Sequence, residues 1–204
     1  LASKNSSACN PTWFDDFSDY RSGWGINNTS SYLTNYTGEE YQILVKNTSW
    51  SIMMTPGIQI SDGVIVVDMR FASAQGDSSE YGGILFGLDP NNSQNYYHFV
   101  VQRNDRYCIR RHNSSSGWTD LSCATAAGFL AYPASNNHLK LVRNGSGITA
   151  YINGQFLATV SDSTYLGSLR VGLTAAAYTI NNADVRFDNY GIYPLACSDQ
   201  VNLQ

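Results

Sequence analysis

Along most of the chain apolar and polar residues alternate with a period of two, the pattern of strands that bury one face. The clearest stretch is Gly63 to Phe71, where Ile65, Val67, Met69 and Phe71 point one way and Asp68 and Arg70 the other. Tyr81 to Asp89 carries Ile84, Phe86 and Leu88 inward and stops at Pro90-Asn91-Asn92, and Tyr97, Phe99 and Val101 line one face of the next strand. Earlier, Trp13 to Phe17 reads as a short strand, Ser31–Tyr36 and Glu40–Lys46 as a hairpin, and Trp50–Thr55 as a strand closed by Pro56-Gly57. Later, Leu139 and Leu141 flank Lys140. Ile148, Ala150 and Ile152 run into Asn153-Gly154, a strong hairpin signal, and Gln155 to Val160 returns. Leu169, Val171 and Leu173 form another strand, Thr174 to Ala177 reads as its end and a loop, and Val185 to Tyr193 is the last strand. A dozen or so strands at this spacing predict two packed antiparallel sheets, an all-β sandwich. The sandwich is expected over residues 12–194, with tails at 1–11 and 195–204.

Tyr is abundant at 14 and charged residues make up 14%, with a net charge of -4. A mildly acidic chain is a poor polyanion binder, so nucleic acid and anionic membranes are not expected partners. No stretch approaches the roughly 18 apolar residues of a membrane-spanning helix. The chain opens at Leu1 rather than Met, which reads as processing.

The four cysteines, Cys9, Cys108, Cys123 and Cys197, have no C-x-x-C spacing of a zinc or redox site. Tyr107–His112 and Trp118–Cys123 read as two arms of a hairpin, in which Cys108/Cys123 and His112/Thr119 share one register. The pairs Cys9/Cys197, Phe14/Ile192 and Phe17/Asn189 share another, in which the first strand meets the last. Disulfides Cys108–Cys123 and Cys9–Cys197 follow, the second closing nearly the whole chain into one loop. N-x-S/T sequons stand at Asn5, Asn27, Asn28, Asn35, Asn47, Asn91, Asn113 and Asn144, about twice the chance number for this composition. Together these features point to a secreted or cell-surface glycoprotein carrying N-glycans.

Several segments carry a resemblance. Phe14-Asp15-Asp16-Phe17-Ser18-Asp19 with Gly23-Trp24, Tyr41 to Lys46, Tyr151 to Gln155, and Val185 to Tyr190 resemble concanavalin A-like jelly-roll domains, laminin-G-like and family-16-glucanase-like, of bacterial surface or secreted proteins. The resemblance covers residues 12 to 194 and implies the jelly-roll fold, which hosts lectins, glucanases, carbohydrate-binding modules and structural domains alike. It implies that a glucanase would carry E-x-D-x-x-E on one strand, as nucleophile and general acid. That spacing is absent here, since the three Glu are Glu39, Glu40 and Glu80. On this ground no enzymatic activity is expected. The resemblance also implies a structural calcium near the chain ends, for which Asp16 and Asp188 are the candidate ligands.

A glycan-binding platform is assembled from Tyr96 and His98, which alternate away from Tyr97 and Phe99, with Tyr107, Arg110 and Trp118 from the neighbouring hairpin. The expected function is a non-catalytic extracellular structural or adhesive protein that self-associates, a filament subunit whose terminal segments contact neighbours. The segment before Cys9 is polar and free of Gly and Pro, and Val201 and Leu203 alternate with Asn202 and Gln204, so both ends can extend as strands. The alternative is a carbohydrate-binding module.

Overall fold

The structure is a computed structural model that describes residues 9–74, 76–132 and 136–201. The strands run, in chain order, β1 (Trp13–Asp15), β2 (Asn27–Asn28), β3 (Tyr32–Tyr36), β4 (Tyr41–Val45), β5 (Trp50–Met54), β6 (Gln59–Ile60), β7 (Gly63–Phe71) and β8 (Tyr81–Leu88). Then come β9 (Tyr96–Gln102), β10 (Arg106–Asn113), β11 (Gly117–Thr125), β12 (Asn137–Asn144), β13 (Gly147–Ile152), β14 (Gln155–Ser161), β15 (Leu169–Ala177) and β16 (Ala183–Tyr193). They form a nine-stranded sheet ordered β14-β13-β12-β7-β16-β4-β3-β2, with β1 also on β16, and a seven-stranded sheet ordered β11-β10-β9-β8-β15-β5, with β6 also on β15. Every pairing is antiparallel. The two sheets enclose one core, to which β7 gives Ile65, Val67, Met69 and Phe71 and β9 gives Tyr97, Phe99 and Val101. This is a concanavalin A-like jelly roll.

At the chain ends the expected register is off by one residue. Trp13 pairs with Ile192 and Asp15 with Tyr190. The strand stops at Asp15, whose Oδ1 accepts the Phe17 amide at 2.8 Å, and Phe17 turns back with φ 56°. That turn drops Phe17 into an aromatic cluster with Trp24 and Tyr41, where the Trp24 indole N–H donates to Asp15 Oδ2 at 2.9 Å. Hence Phe17 does not pair with Asn189. In the second hairpin Cys108 faces Cys123 as expected, but a bulge at Ile109/Arg110 moves the tip by one, so His112 faces Trp118 rather than Thr119. The structure contains both disulfides, Cys9–Cys197 and Cys108–Cys123.

Thr174 to Ala177 is strand, not loop, because β15 lies between β8 and β5 and pairs with both. Residues 195–201 are not a loose tail: Leu195–Cys197 forms a 3-10 turn, and the buried Lys140 donates from Nζ to the Ser198 carbonyl at 2.9 Å. The remaining terminal residues, 1–8 and 202–204, and the sequon at Asn5 lie outside the described residues.

Candidate functional site

The outer face of the seven-stranded sheet is built from the side chains that alternate away from the core. On β9 these are Tyr96 and His98, and on β8 they include Tyr81 and Leu85. Cross-strand pairing sets Arg110 against His98 and His112 against Tyr96, and on the far side Trp118 against His112. The rings gather accordingly. Trp118 stacks on His98 at 4.7 Å with 25° between planes, and Tyr96 stacks on His112 at 5.3 Å with 21°. Trp118 also meets His112 edge-on at 4.8 Å, and Tyr81 meets His98 edge-on at 5.4 Å. Beside them Arg110 Nε lies 2.7 Å from Asp120 Oδ1.

Between Trp118 and the other end of the sheet runs a groove of about 140 Å³ lined by Ser49, Trp50, Ser51, Tyr81, Ala176 and Tyr178 in addition to Trp118. The aromatic rims stay in solvent: Trp50 is 48%, Trp118 46% and Tyr178 37% exposed. Ala176 keeps the floor low. Asp77 fixes the Tyr178 loop by accepting from the amides of Thr179 at 2.6 Å and Ile180 at 3.2 Å. Burial raises the Asp77 carboxyl, but the Thr179 and Ser79 amides outweigh it and hold the group below its ordinary range. His98, wholly buried, is held neutral: burial first, then Arg110 and His112, pushes its imidazole down to about 3.

Four of the five expected platform residues, Tyr96, His98, Arg110 and Trp118, share this face. Tyr107 does not. It has the parity of Ile109 and points into the core, where its hydroxyl donates to the Leu157 carbonyl at 3.3 Å. Tyr96 and His98 differ from expectation too, because Trp118 and His112 cover them. Sequence reasoning missed Trp50, Tyr81, His112 and Tyr178. For Tyr81 the available signal was in β8 and β9, YGGILFGL and YYHFVVQ, which are apolar at both parities and buried throughout, while Trp50, His112 and Tyr178 lie outside those strands.

A second concavity, about 440 Å³, lies on the outer face of the nine-stranded sheet and is lined by Cys9, Phe14, Asp68, His138, Asn189 and Tyr193 among others. Its carboxylate is already engaged: Asp68 Oδ1 is 2.8 Å from His138 Nδ1, and Oδ2 accepts from Asn189 Nδ2 at 3.0 Å. Asp16 and Asp188, the candidate calcium ligands, lie near this side. Asp16 Oδ1 accepts from the Ser18 hydroxyl at 2.7 Å and the Ser18 amide at 3.1 Å, which lowers its pKa. Asp188 accepts the Asn189 amide at 2.7 Å, and burial, with the Asp68, Glu40 and Asp16 carboxylates, raises its pKa. Among the described residues no group of three or more His, Cys, Asp or Glu side chains is set to hold a metal ion, so side chains alone do not supply a calcium shell.

Of the sequon asparagines, Asn28, Asn47, Asn91 and Asn144 are exposed. Asn35 is half-buried, and Asn27 donates from Nδ2 to Thr34 Oγ1 at 3.2 Å. Asn113 is engaged as well: Nδ2 donates to the Tyr165 hydroxyl at 2.8 Å and Oδ1 accepts the Ser115 amide at 2.9 Å.

No protein-family model matches the chain, and no curated protein matches it in sequence. Solved structures do match in fold. A carbohydrate-binding module, CBM66 from Bacillus subtilis, superposes with a TM-score of 0.66 at 17% identity, over 84% of this chain and 95% of that one. The laminarinase catalytic domain of Thermotoga maritima gives 0.67 at 9% identity, over 92% and 99%. A Bacillus subtilis protein of unknown function with a galectin-like fold gives 0.66 at 12% identity, over 92% and 96%. Identities this low show the shared fold alone. They correct one expectation, the exclusion of enzymatic activity. The laminarinase domain has this fold over nine-tenths of the chain, so a missing E-x-D-x-x-E spacing is no ground for that exclusion.

Proposed function

We propose that this is an extracellular carbohydrate-binding domain that lays a sugar chain along the aromatic outer face of its seven-stranded sheet. The observation that carries the reading is the open groove between the exposed rings of Trp50, Tyr178 and Trp118, with Ser49 and Ser51 along it and the buried Tyr81 beneath. Exposed aromatic rims offer flat apolar faces to the C–H surface of a sugar ring, and nearby hydroxyls bond its polar edge. The fold shared with a carbohydrate-binding module supports the same reading. Two disulfides support an oxidising, extracellular setting. The test is retention of the purified chain on insoluble or gel-embedded laminarin, mixed-linkage β-glucan and β-galactan. Retention by at least one polymer, lost in Trp50→Ala, is expected. Free passage through all three would count against the reading.

A second reading keeps the chain as a glycosylated structural subunit that self-associates through its terminal segments. It is favoured by the Cys9–Cys197 bond, which fixes both ends at one place, and by the exposed Asn28, Asn47, Asn91 and Asn144 sequons. Light scattering of the native glycoprotein at rising concentration tests it: growing assemblies that residues 1–7 are needed for are expected, and a constant monomer mass contradicts it.

A further inference from the structure

His98 sits at the centre of the aromatic face, wholly buried, and neither Nδ1 nor Nε2 has a hydrogen-bond partner among the described residues. A neutral imidazole presents one donor and one acceptor. Buried polar groups are nearly always paired, so one left bare asks for a reason. What covers it is half in solvent. The Trp118 indole stacks over the imidazole at 4.7 Å, yet is 46% exposed and forms one wall of the groove. Trp118 follows Gly117, at φ 72°, near the start of β11, the edge strand of its sheet. An edge strand has a partner on one side alone, so a side chain there moves at less cost than one on an inner strand.

We propose that Trp118 is a movable cover over a polar subsite, and that His98 is the anchor in it for a ligand hydroxyl reached when the indole swings aside. The inference rests on the carbohydrate reading above and names the polar contact at that site. A hydroxyl both donates and accepts, so one or two hydroxyls of a sugar ring serve both imidazole nitrogens. An ammonium group cannot accept from the imidazole N–H, and a carboxylate cannot donate to the bare nitrogen. Arg110 and His112 flank the ring, and they and its burial keep it neutral, which preserves the donor–acceptor pair. The cover also explains how an unpaired imidazole persists in the free protein: stacking with Trp118 on one side and the edge of Tyr81 on another replaces hydrogen bonds with ring contacts.

His98→Phe keeps a ring in this place and removes both nitrogens. Its affinity is compared with that of the wild-type chain by calorimetry, using laminarihexaose or the hexaose of whichever polymer the wild-type chain retains. The expected result is a thermal midpoint at or above that of the wild type together with at least tenfold weaker binding. Wild-type affinity in a folded His98→Phe chain overturns the anchor. Deuterium exchange at the imidazole Cε1 positions, read by mass spectrometry without any sugar, tests the cover separately. His98 is expected to exchange more slowly than His112 and His138 and to speed up at least tenfold in Trp118→Ala. An unchanged rate in that variant overturns the cover. If the wild-type chain binds none of the polymers, the carbohydrate reading falls, and the exchange rates still decide whether Trp118 closes over His98.

Discussion

The outer faces of the two sheets follow opposite rules, although both sheets bury their inner faces in one core. On the nine-stranded sheet the outer face is a lattice of charge. Glu40 bonds Arg70 at 2.6 Å and lies 3.8 Å from Arg186, Arg186 pairs with Asp184 at 2.7 Å, and Gln42 donates to Asp184 at 2.9 Å. On the seven-stranded sheet the outer face is a stack of rings over the buried Tyr81, Leu85, Tyr96 and Val100. Charged groups that satisfy one another hold a surface that water can cover. Rings that leave two tryptophans and a tyrosine in solvent hold a surface with something still to bind. On the proposed reading, this difference favours the seven-stranded sheet as the binding face and gives the nine-stranded sheet a supporting role.

Each face has its own staple, and removing them gives the largest expected change. The Cys9–Cys197 link joins residues 188 apart and Cys108–Cys123 residues 15 apart. Chain-entropy reasoning assigns roughly 5 kcal/mol to the longer loop and about 3 kcal/mol to the shorter. Urea unfolding of the Cys9→Ser/Cys197→Ser and Cys108→Ser/Cys123→Ser chains should rank them in that order, and the reverse order would show that the hairpin link holds more than its own loop.

Next is Trp50→Ala, which should cost about 2 kcal/mol of sugar binding, as for an aromatic anchor at a binding hot spot, with little loss of stability. Arg70→Ala, on the charged face, should leave binding unchanged. Equal losses in the two variants would erase the contrast between the faces.

The third effect is a pH dependence. The folded chain keeps His98 neutral down to about pH 3, whereas the unfolded chain takes up this proton near the ordinary 6.5. Between those values the unfolded state binds the extra proton, so its population rises as pH falls. Unfolding free energy should therefore drop on acidification below pH 6.5, and drop less steeply in His98→Phe. Parallel slopes in the two chains would mean that His98 already carries a proton in the fold. The smallest effect is expected from Glu40→Gln. It loosens a partly exposed network, so the change should stay below about 1 kcal/mol and shrink further in salt. Thermal midpoints at low and high ionic strength measure it.

How much of this was legible follows from the same contrast. In Gly63 to Phe71 the stretch from Val67 to Phe71 alternates, because one side meets the core and the other carries Asp68 and Arg70, so its faces could be assigned there, whereas Val64 and Val66 are apolar and buried on the other side too. The cysteine pairs were legible through strand register, yet the register itself was off wherever a backbone irregularity intervened. Periodicity does not mark the positive φ at Phe17 or the bulge at Ile109/Arg110. The aromatic face was half legible. Tyr96, His98, Arg110 and Trp118 lie in neighbouring strands, close in sequence. Trp50 and Tyr178 are far apart in sequence, and only the β5–β15 ladder, where Trp50 pairs with Ala177, brings them to one groove. Tyr107 was misplaced because it was grouped by its hairpin rather than by its parity with Ile109.

The most direct test of the account is a nuclear magnetic resonance titration that follows the indole N–H signals of Trp13, Trp24, Trp50 and Trp118 and the ring signals of His98 and His138 as laminarihexaose, cellohexaose and a β-galactohexaose are added in turn. The account predicts that at least one sugar shifts Trp50, Trp118 and His98 and leaves Trp13, Trp24 and His138 in place. Shifts confined to His138 and its neighbours in the concavity of the nine-stranded sheet, or no shift with any of the three, would contradict it.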